Sequence, residues 1–426
     1  MLRVLQGNSP EVKGLLTKSY GDLQLLTENT SQILEAVKSR GDDALLEFAE
    51  KFDGANLTST QLRVTEDEIA EAYTKVAPEF LAALRRAKQN IAEFHKKQLR
   101  QSWLEPDEQG SILGQLIRPL ERVGVYVPGG TAAYPSSVLM NAVPARVAGV
   151  KEIVMVTPAK GGQNIVPEVL VAAKEAGVDE IYKVGGAQAI AALAFGTETI
   201  AKVDKITGPG NIYVTLAKKL VYGEVDIDML AGPSEILVVA DESADPAYVA
   251  ADLLSQAEHD VLASAILITN SRSLLESVDT ELAKQLEELP RKEIAGKSIQ
   301  DYGAAILVDS IEEGINLANK FAPEHLELML QEPFRYLGLV KNAGAVFLGK
   351  YSPEPLGDYF AGPNHVLPTG GTARFYSPLN VDTFCKKLSV ISYSEQSLKG
   401  AAEDIMLLAR TEGLDAHANA IKVRVK

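Results

Sequence analysis

From about residue 121 onward, short apolar runs alternate with helical stretches, and this alternation constrains the fold more than any other feature of the chain. The runs at 123–127, 152–157, 180–184 and 235–240 are rich in β-branched residues and end in glycine, proline or polar residues. Helical patterns lie between them, for example at 187–195 and 212–220. The same logic repeats at 264–269, 304–308 and 345–348. Alternating strands and helices predict mainly parallel, doubly wound sheets. Such sheets bind ligands at the carboxyl ends of their strands. Two such blocks in one chain predict two sheet domains with a cleft between them. The first 120 residues read as mostly helical, with a long pattern at 66–97 broken near Ala77-Pro78. The segment from about Asp382 to the end reads as a helical tail. His95, in the charged run Glu93-Phe-His-Lys-Lys, reads as a surface histidine.

Charge and composition narrow the function. The chain has 42 Lys+Arg against 57 Asp+Glu, a formal net charge of −15. No dense basic block is present, which argues against a nucleic-acid binder. No apolar run approaches the length of a membrane span, and the first residues carry no apolar stretch of a secretion signal. These features point to a cytoplasmic protein. The single cysteine, Cys385, excludes an internal disulfide and any thiolate-rich metal site.

Three glycine loops follow strands: Pro128-Gly129-Gly130-Thr131, Gly185-Gly186-Ala187-Gln188 and Gly208-Pro209-Gly210-Asn211. Any one alone reads as a tight turn. Together they favour a nucleotide or phosphate site, because glycine lets a ligand approach the backbone and a following helix offers free N–H groups. Gly-x-Gly-x-x-Gly and Walker fingerprints are absent, and the second strand ends in Thr157-Pro158 rather than an acid. A dinucleotide would therefore be held differently from the usual Rossmann manner.

The polar constellation is stronger. Four of the five histidines lie in Gly/Pro/acid-rich contexts: His259, His325, His365 and His417. Gln256 and His259 stand three apart, so a helix would place them on one face. Histidines with a carboxylate suit a divalent ion such as zinc, although each residue alone reads as an ordinary polar one. Glu324-His325 offers a general base beside a water-activating carboxylate. Pro323 before them suggests a helix start or turn, where the pair could simply favour the helix dipole. Cys385 could form a thiohemiacetal in aldehyde oxidation, but its context reads as helical packing. A zinc hydrolase and a non-catalytic metal- or nucleotide-binding protein are the competing classes.

The motifs at 208–211 (Gly-Pro-Gly-Asn), 231–235 (Ala-Gly-Pro-Ser-Glu), 254–259 (Leu-Ser-Gln-Ala-Glu-His), 321–326 (Phe-Ala-Pro-Glu-His-Leu), 357–365 (Gly-Asp-Tyr-Phe-Ala-Gly-Pro-Asn-His) and 412–417 (Glu-Gly-Leu-Asp-Ala-His) resemble the histidinol dehydrogenase family along essentially the whole chain. The resemblance implies oxidation of L-histidinol to L-histidine through histidinaldehyde, with two NAD+ per turnover and one zinc ion. It implies Gln256, His259, Asp358 and His417 as zinc ligands, and Glu324 and His325 as the acid/base pair. It implies that Tyr126, Gln188 and Asn211 hold NAD+. Ser234, His325 and Glu412 would contact substrate, with Gln256, His259, Asp358 and His417 lining the same pocket. It also implies an intertwined homodimer whose small C-terminal domain completes the partner's site. The expected division is an N-terminal helical segment over 1–22, a first α/β domain of 23–122 with 236–378, a second over 123–235, and a C-terminal domain over 379–426. Both sheet domains are expected to be Rossmann-like without the usual dinucleotide fingerprint.

Overall fold

The structure, a computed structural model, describes residues 1–15, 23–129, 134–159 and 164–425. The chain divides into two compact units, one of Met1–Gln98 with Glu121–Phe384 and one of Leu99–Leu120 with Cys385–Lys426.

The first unit holds two parallel sheets. The larger runs in the order Arg3–Gln6, Ala304–Leu307, Ser264–Thr269, Glu235–Ala240, His325–Met329 and Ala345–Leu348. Its central strands are buried along their whole length, as parallel strands covered on both faces must be. Period-two alternation sends Ile236, Val238, Ala265 and Leu267 into one core, and Leu237, Val239, Ile266 and Ile268 into the other. The smaller sheet runs Glu180–Tyr182, Glu152–Val156, Arg122–Tyr126, Lys205–Thr207 and Asp226–Ile227.

The N-terminal residues depart from expectation. Arg3–Gln6 is an edge strand of the larger sheet, followed by a short helix at Pro10–Leu15. Helices Leu23–Arg40 and Asp42–Phe48 share one apolar core with the smaller sheet, through Leu34, Val37, Leu45 and Phe48. Their core therefore groups them with 123–235, not with 236–378. The break at Ala77-Pro78 is as expected: helix Glu66–Lys75 ends there and Pro78–Lys96 begins. His95 is buried, not on the surface. Its Nδ1 lies 2.7 Å from the Ile91 carbonyl, and its Nε2 lies 3.5 Å from Asn364. It extends the buried stripe of Leu84, Ala87 and Ile91, and this helical spacing outweighs the charged neighbours.

The second unit is a three-stranded antiparallel sheet, Cys385–Ser392, Ile112–Pro119 and Trp103–Pro106, with helices Glu395–Thr411 and Asp415–Lys422. Residues 103–119 are thus not helical, and the expected helical tail opens with a strand. Cys385 starts that strand opposite Pro119, so its context is extended. No helix among the described residues is long and apolar enough to cross a membrane.

Candidate active site

Glu324 and His325 do not start a helix. Helix Ile311–Phe321 ends at Ala322, whose φ of 48° is the only positive value among the described non-glycine residues. Such strain persists where the surroundings fix it, often beside functional groups. Pro323 follows, and the strand His325–Met329 begins. A Cβ at Gly344 would stand 2.5 Å from the Glu324 carbonyl oxygen, so only glycine lets the neighbouring chain approach there.

The backbone of one residue, Glu235, holds both members of the pair. Glu324 Oε2 accepts the Glu235 N–H at 2.8 Å, and His325 Nδ1 lies 3.0 Å from the Glu235 carbonyl. A carbonyl can only accept, so Nδ1 carries the proton and Nε2 is left for other chemistry. Nε2 is buried with no hydrogen-bond partner and lies 3.7 Å from Asp358 Oδ1. Burial pushes the Glu324 carboxyl up to about 7. Burial opposes a charge on His325, but Glu324, Asp358 and Glu354 outweigh it and raise the imidazole to about 10. Burial likewise opposes ionisation of Asp358, yet the neighbouring His325 and His365 imidazoles hold it well below the usual carboxylate range.

Gln256 lies in the last turn of helix Pro246–Ala257, and His259 in the turn beyond, with its N–H on the Gln256 carbonyl at 3.2 Å. The side chain of Gln256 is 1% exposed, yet neither its Oε1 nor its Nε2 has a partner. A buried amide with both ends unsatisfied is costly unless a ligand completes it. His259 is near enough to Asp358 and His325 for their charges to act on it. Asp358 is fixed from behind, because His365 Nδ1 lies 3.0 Å from its backbone carbonyl.

Glu354 enters the site only through the structure. It lies four residues before Asp358 on helix Glu354–Tyr359, a spacing that puts both on one face. His325, Glu354 and Asp358 present ligand atoms all within 4.8 Å of one another. Asp358 therefore belongs to two candidate nitrogen/oxygen donor sets, this one and the expected Gln256–His259 set. Either chemistry suits zinc. This cluster sits at the amino ends of the larger sheet's strands, with Ser234 just before Glu235–Ala240. The carboxyl-end rule does not hold for that sheet.

In the smaller sheet, the residues expected to hold a nucleotide do lie at the carboxyl ends of the strands. Tyr126 ends its strand, and its hydroxyl accepts the Gly186 N–H at 3.2 Å. Gln188, in the first turn of helix Gly186–Phe195, is buried with Nε2 unpartnered. Asn211 caps helix Ile212–Val221, its Oδ1 accepting the N–H groups of Tyr213 and Val214 at 3.0 and 3.1 Å. Its amide nitrogen is the end left for a ligand. Gly130 and Thr131 lie outside the described residues. Glu412 and His417 belong to the second unit, where both are exposed.

Two parallel sheets and a buried histidine–carboxylate cluster define an α/β enzyme with a metal-competent site. The family model for histidinol dehydrogenase matches residues 16–425. A histidinol dehydrogenase from Heliobacterium mobile is 60% identical over 426 residues, covering 100% of both chains. One from Moorella thermoacetica is 61% identical over 393 residues, 92% of this chain and 93% of that one. The crystal structure of histidinol dehydrogenase from Elizabethkingia anophelis matches with a TM-score of 0.94 at 41% identity, covering 100% of this chain and 98% of that one. The chain belongs to the histidinol dehydrogenase family.

Proposed function

We propose that the protein oxidises L-histidinol to L-histidine in two hydride transfers, through enzyme-held L-histidinaldehyde, as the last step of histidine biosynthesis in the cytoplasm. The observation that carries this reading is the Glu324–His325 pair, both fixed on the Glu235 backbone. When bound, zinc would supply a template for the substrate's imidazole and amine, and NAD+ would accept the hydrides.

The protein's own residues do the rest. Gln256, His259 and Asp358, with the partner subunit's His417, would hold the metal. The orphaned Gln256 amide is the feature that fits this role best. A cation held by Asp358 would oppose the negative charge that raises His325 and leave Nε2 able to accept a proton. His325 takes the alcohol proton at Nε2 as the first hydride departs. Glu324, its carboxyl raised by burial toward neutral pH, removes a proton from the water that attacks the aldehyde. His325, having passed its first proton to solvent, then deprotonates the hydrated aldehyde as the second hydride leaves for a second NAD+. Ser234 and Glu412, the latter from the partner, would orient the substrate. Tyr126, Gln188 and Asn211 would hold the nucleotide at the smaller sheet. The exposed position of Glu412 and His417 on a separate compact unit supports a homodimer with shared sites.

No cysteine adduct is needed. Cys385→Ser therefore keeps turnover within about twofold of the native protein, the range expected when no catalytic group is removed. Loss of turnover with intact folding would instead establish a thiohemiacetal route. A zinc hydrolase is the second reading, and it has no use for the nucleotide loops. Tight NAD+ binding by the folded protein separates the two.

A further inference from the structure

The loop Gly208-Pro209-Gly210-Asn211 is held by a salt bridge inside the smaller-sheet half of the first unit. Lys218 and Asp228 have side chains 3% and 1% exposed and pair directly. Lys218 comes from helix Ile212–Val221, among the buried residues Val214, Leu216, Ala217 and Val221. Asp228 directly follows the edge strand Asp226–Ile227. The two grip the same residue from both sides. Lys218 Nζ donates to the Gly208 carbonyl at 3.0 Å, and Asp228 Oδ2 accepts the Gly208 N–H at 2.8 Å. Asp228 Oδ1 also takes the Met229 N–H at 2.6 Å.

Gly208 tolerates no other arrangement. Its φ is +112°, and a Cβ there would stand 2.1 Å from the Tyr126 carbonyl oxygen. The clamp thus fixes the loop that ends in Asn211 at the residue where it packs against the Tyr126 backbone. Stability alone is a poor reason for such a pair. Burying two charges costs about as much as their attraction returns, and well-packed apolar replacements are often neutral or stabilising. What an ion pair offers beyond apolar packing is direction, because each charge points at one backbone group.

We propose that Lys218 and Asp228 are positioning residues for nucleotide binding, holding the Gly208–Asn211 loop in the shape that accepts NAD+. This rests on the reading that Asn211 and Tyr126 contact the nucleotide. The residues touch no reacting atom, so their effect falls on nucleotide affinity.

The test is the double variant Lys218→Met/Asp228→Asn, which removes both charges and leaves neither unpaired, with Lys218→Arg as a second variant that keeps the charge but displaces the loop. NADH binding to the full-length protein is measured by nucleotide fluorescence, beside melting temperature and the KM for NAD+ against kcat. Asn211→Ala is the control on the underlying reading. The expected result is a dissociation constant raised about tenfold or more in the clamp variants, as for a binding group held out of place. The KM for NAD+ rises with it more than kcat falls, and the melting temperature of the double variant stays near native. Unchanged NADH affinity in a folded clamp variant, with Asn211→Ala weakened, would overturn the proposal and leave the nucleotide site standing. Unchanged affinity in Asn211→Ala as well would overturn both. If the double variant does not fold, Lys218→Arg decides by the same measure.

Discussion

Glu324→Gln stalls the reaction at the aldehyde. Glutamine keeps an oxygen to accept the Glu235 N–H, so the geometry around His325 is preserved while the proton acceptor is lost. The alcohol step needs only His325 and slows modestly. Oxidation of supplied histidinaldehyde falls by about 10²–10⁴-fold, the usual contribution of a positioned general base. Measuring NADH formation separately from histidinol and from histidinaldehyde distinguishes the two. Equal loss in both steps would remove the water-activating role from Glu324 and leave it only a structural one.

The second large effect is complementation. Gln256→Ala and His417→Ala proteins are each inactive, since each lacks one proposed zinc ligand in every site. If a site takes Gln256 from one subunit and His417 from the other, a mixed dimer contains one wholly native site and one doubly damaged site. Such dimers recover about half the native activity per dimer, as the two-fold arithmetic of shared interfaces requires. Activity that never returns on mixing, under conditions where dimers exchange, would place His417 outside the partner's site.

Much of the fold was legible because the larger sheet's strands are buried on both faces and stand out as apolar runs. The break at Ala77-Pro78 was legible for a local reason, the backbone rule of proline. The second unit was not. Its strands at 103–119 and 385–392 pair across most of the chain's length, and nothing local announces a partner so distant. The N-terminal strand was hidden for the same reason, being four residues long and paired with Ala304–Leu307. The helices at 23–48 showed their apolar stripe, but a stripe does not say which sheet it covers.

The site was legible in part. The family resemblance brought forward Glu324, His325, Gln256, His259 and Asp358; of these the structure sets His325 3.7 Å from both Glu324 and Asp358, with His259 near enough to feel the charges of Asp358 and His325. Of the helix start or turn expected at Glu324-His325, the structure shows a bend at Glu324 that leads into a strand rather than a helix. Glu354 was missed although it stands one helical turn before Asp358, since Pro353-Glu354 looks like an ordinary helix start. The clamp of Lys218 and Asp228 was invisible. A lysine in the last turn of a helix reads as solvated until the structure shows it buried.

The proposed four-electron oxidation in a zinc-dependent site is tested most sharply by stoichiometry. Zinc-loaded protein is given L-histidinol and excess NAD+, and NADH formed is counted per histidinol consumed. Two NADH form per substrate, with histidine as product and all turnover lost on chelation. One NADH with free aldehyde released, or no NADH from folded, metal-loaded protein, would contradict it.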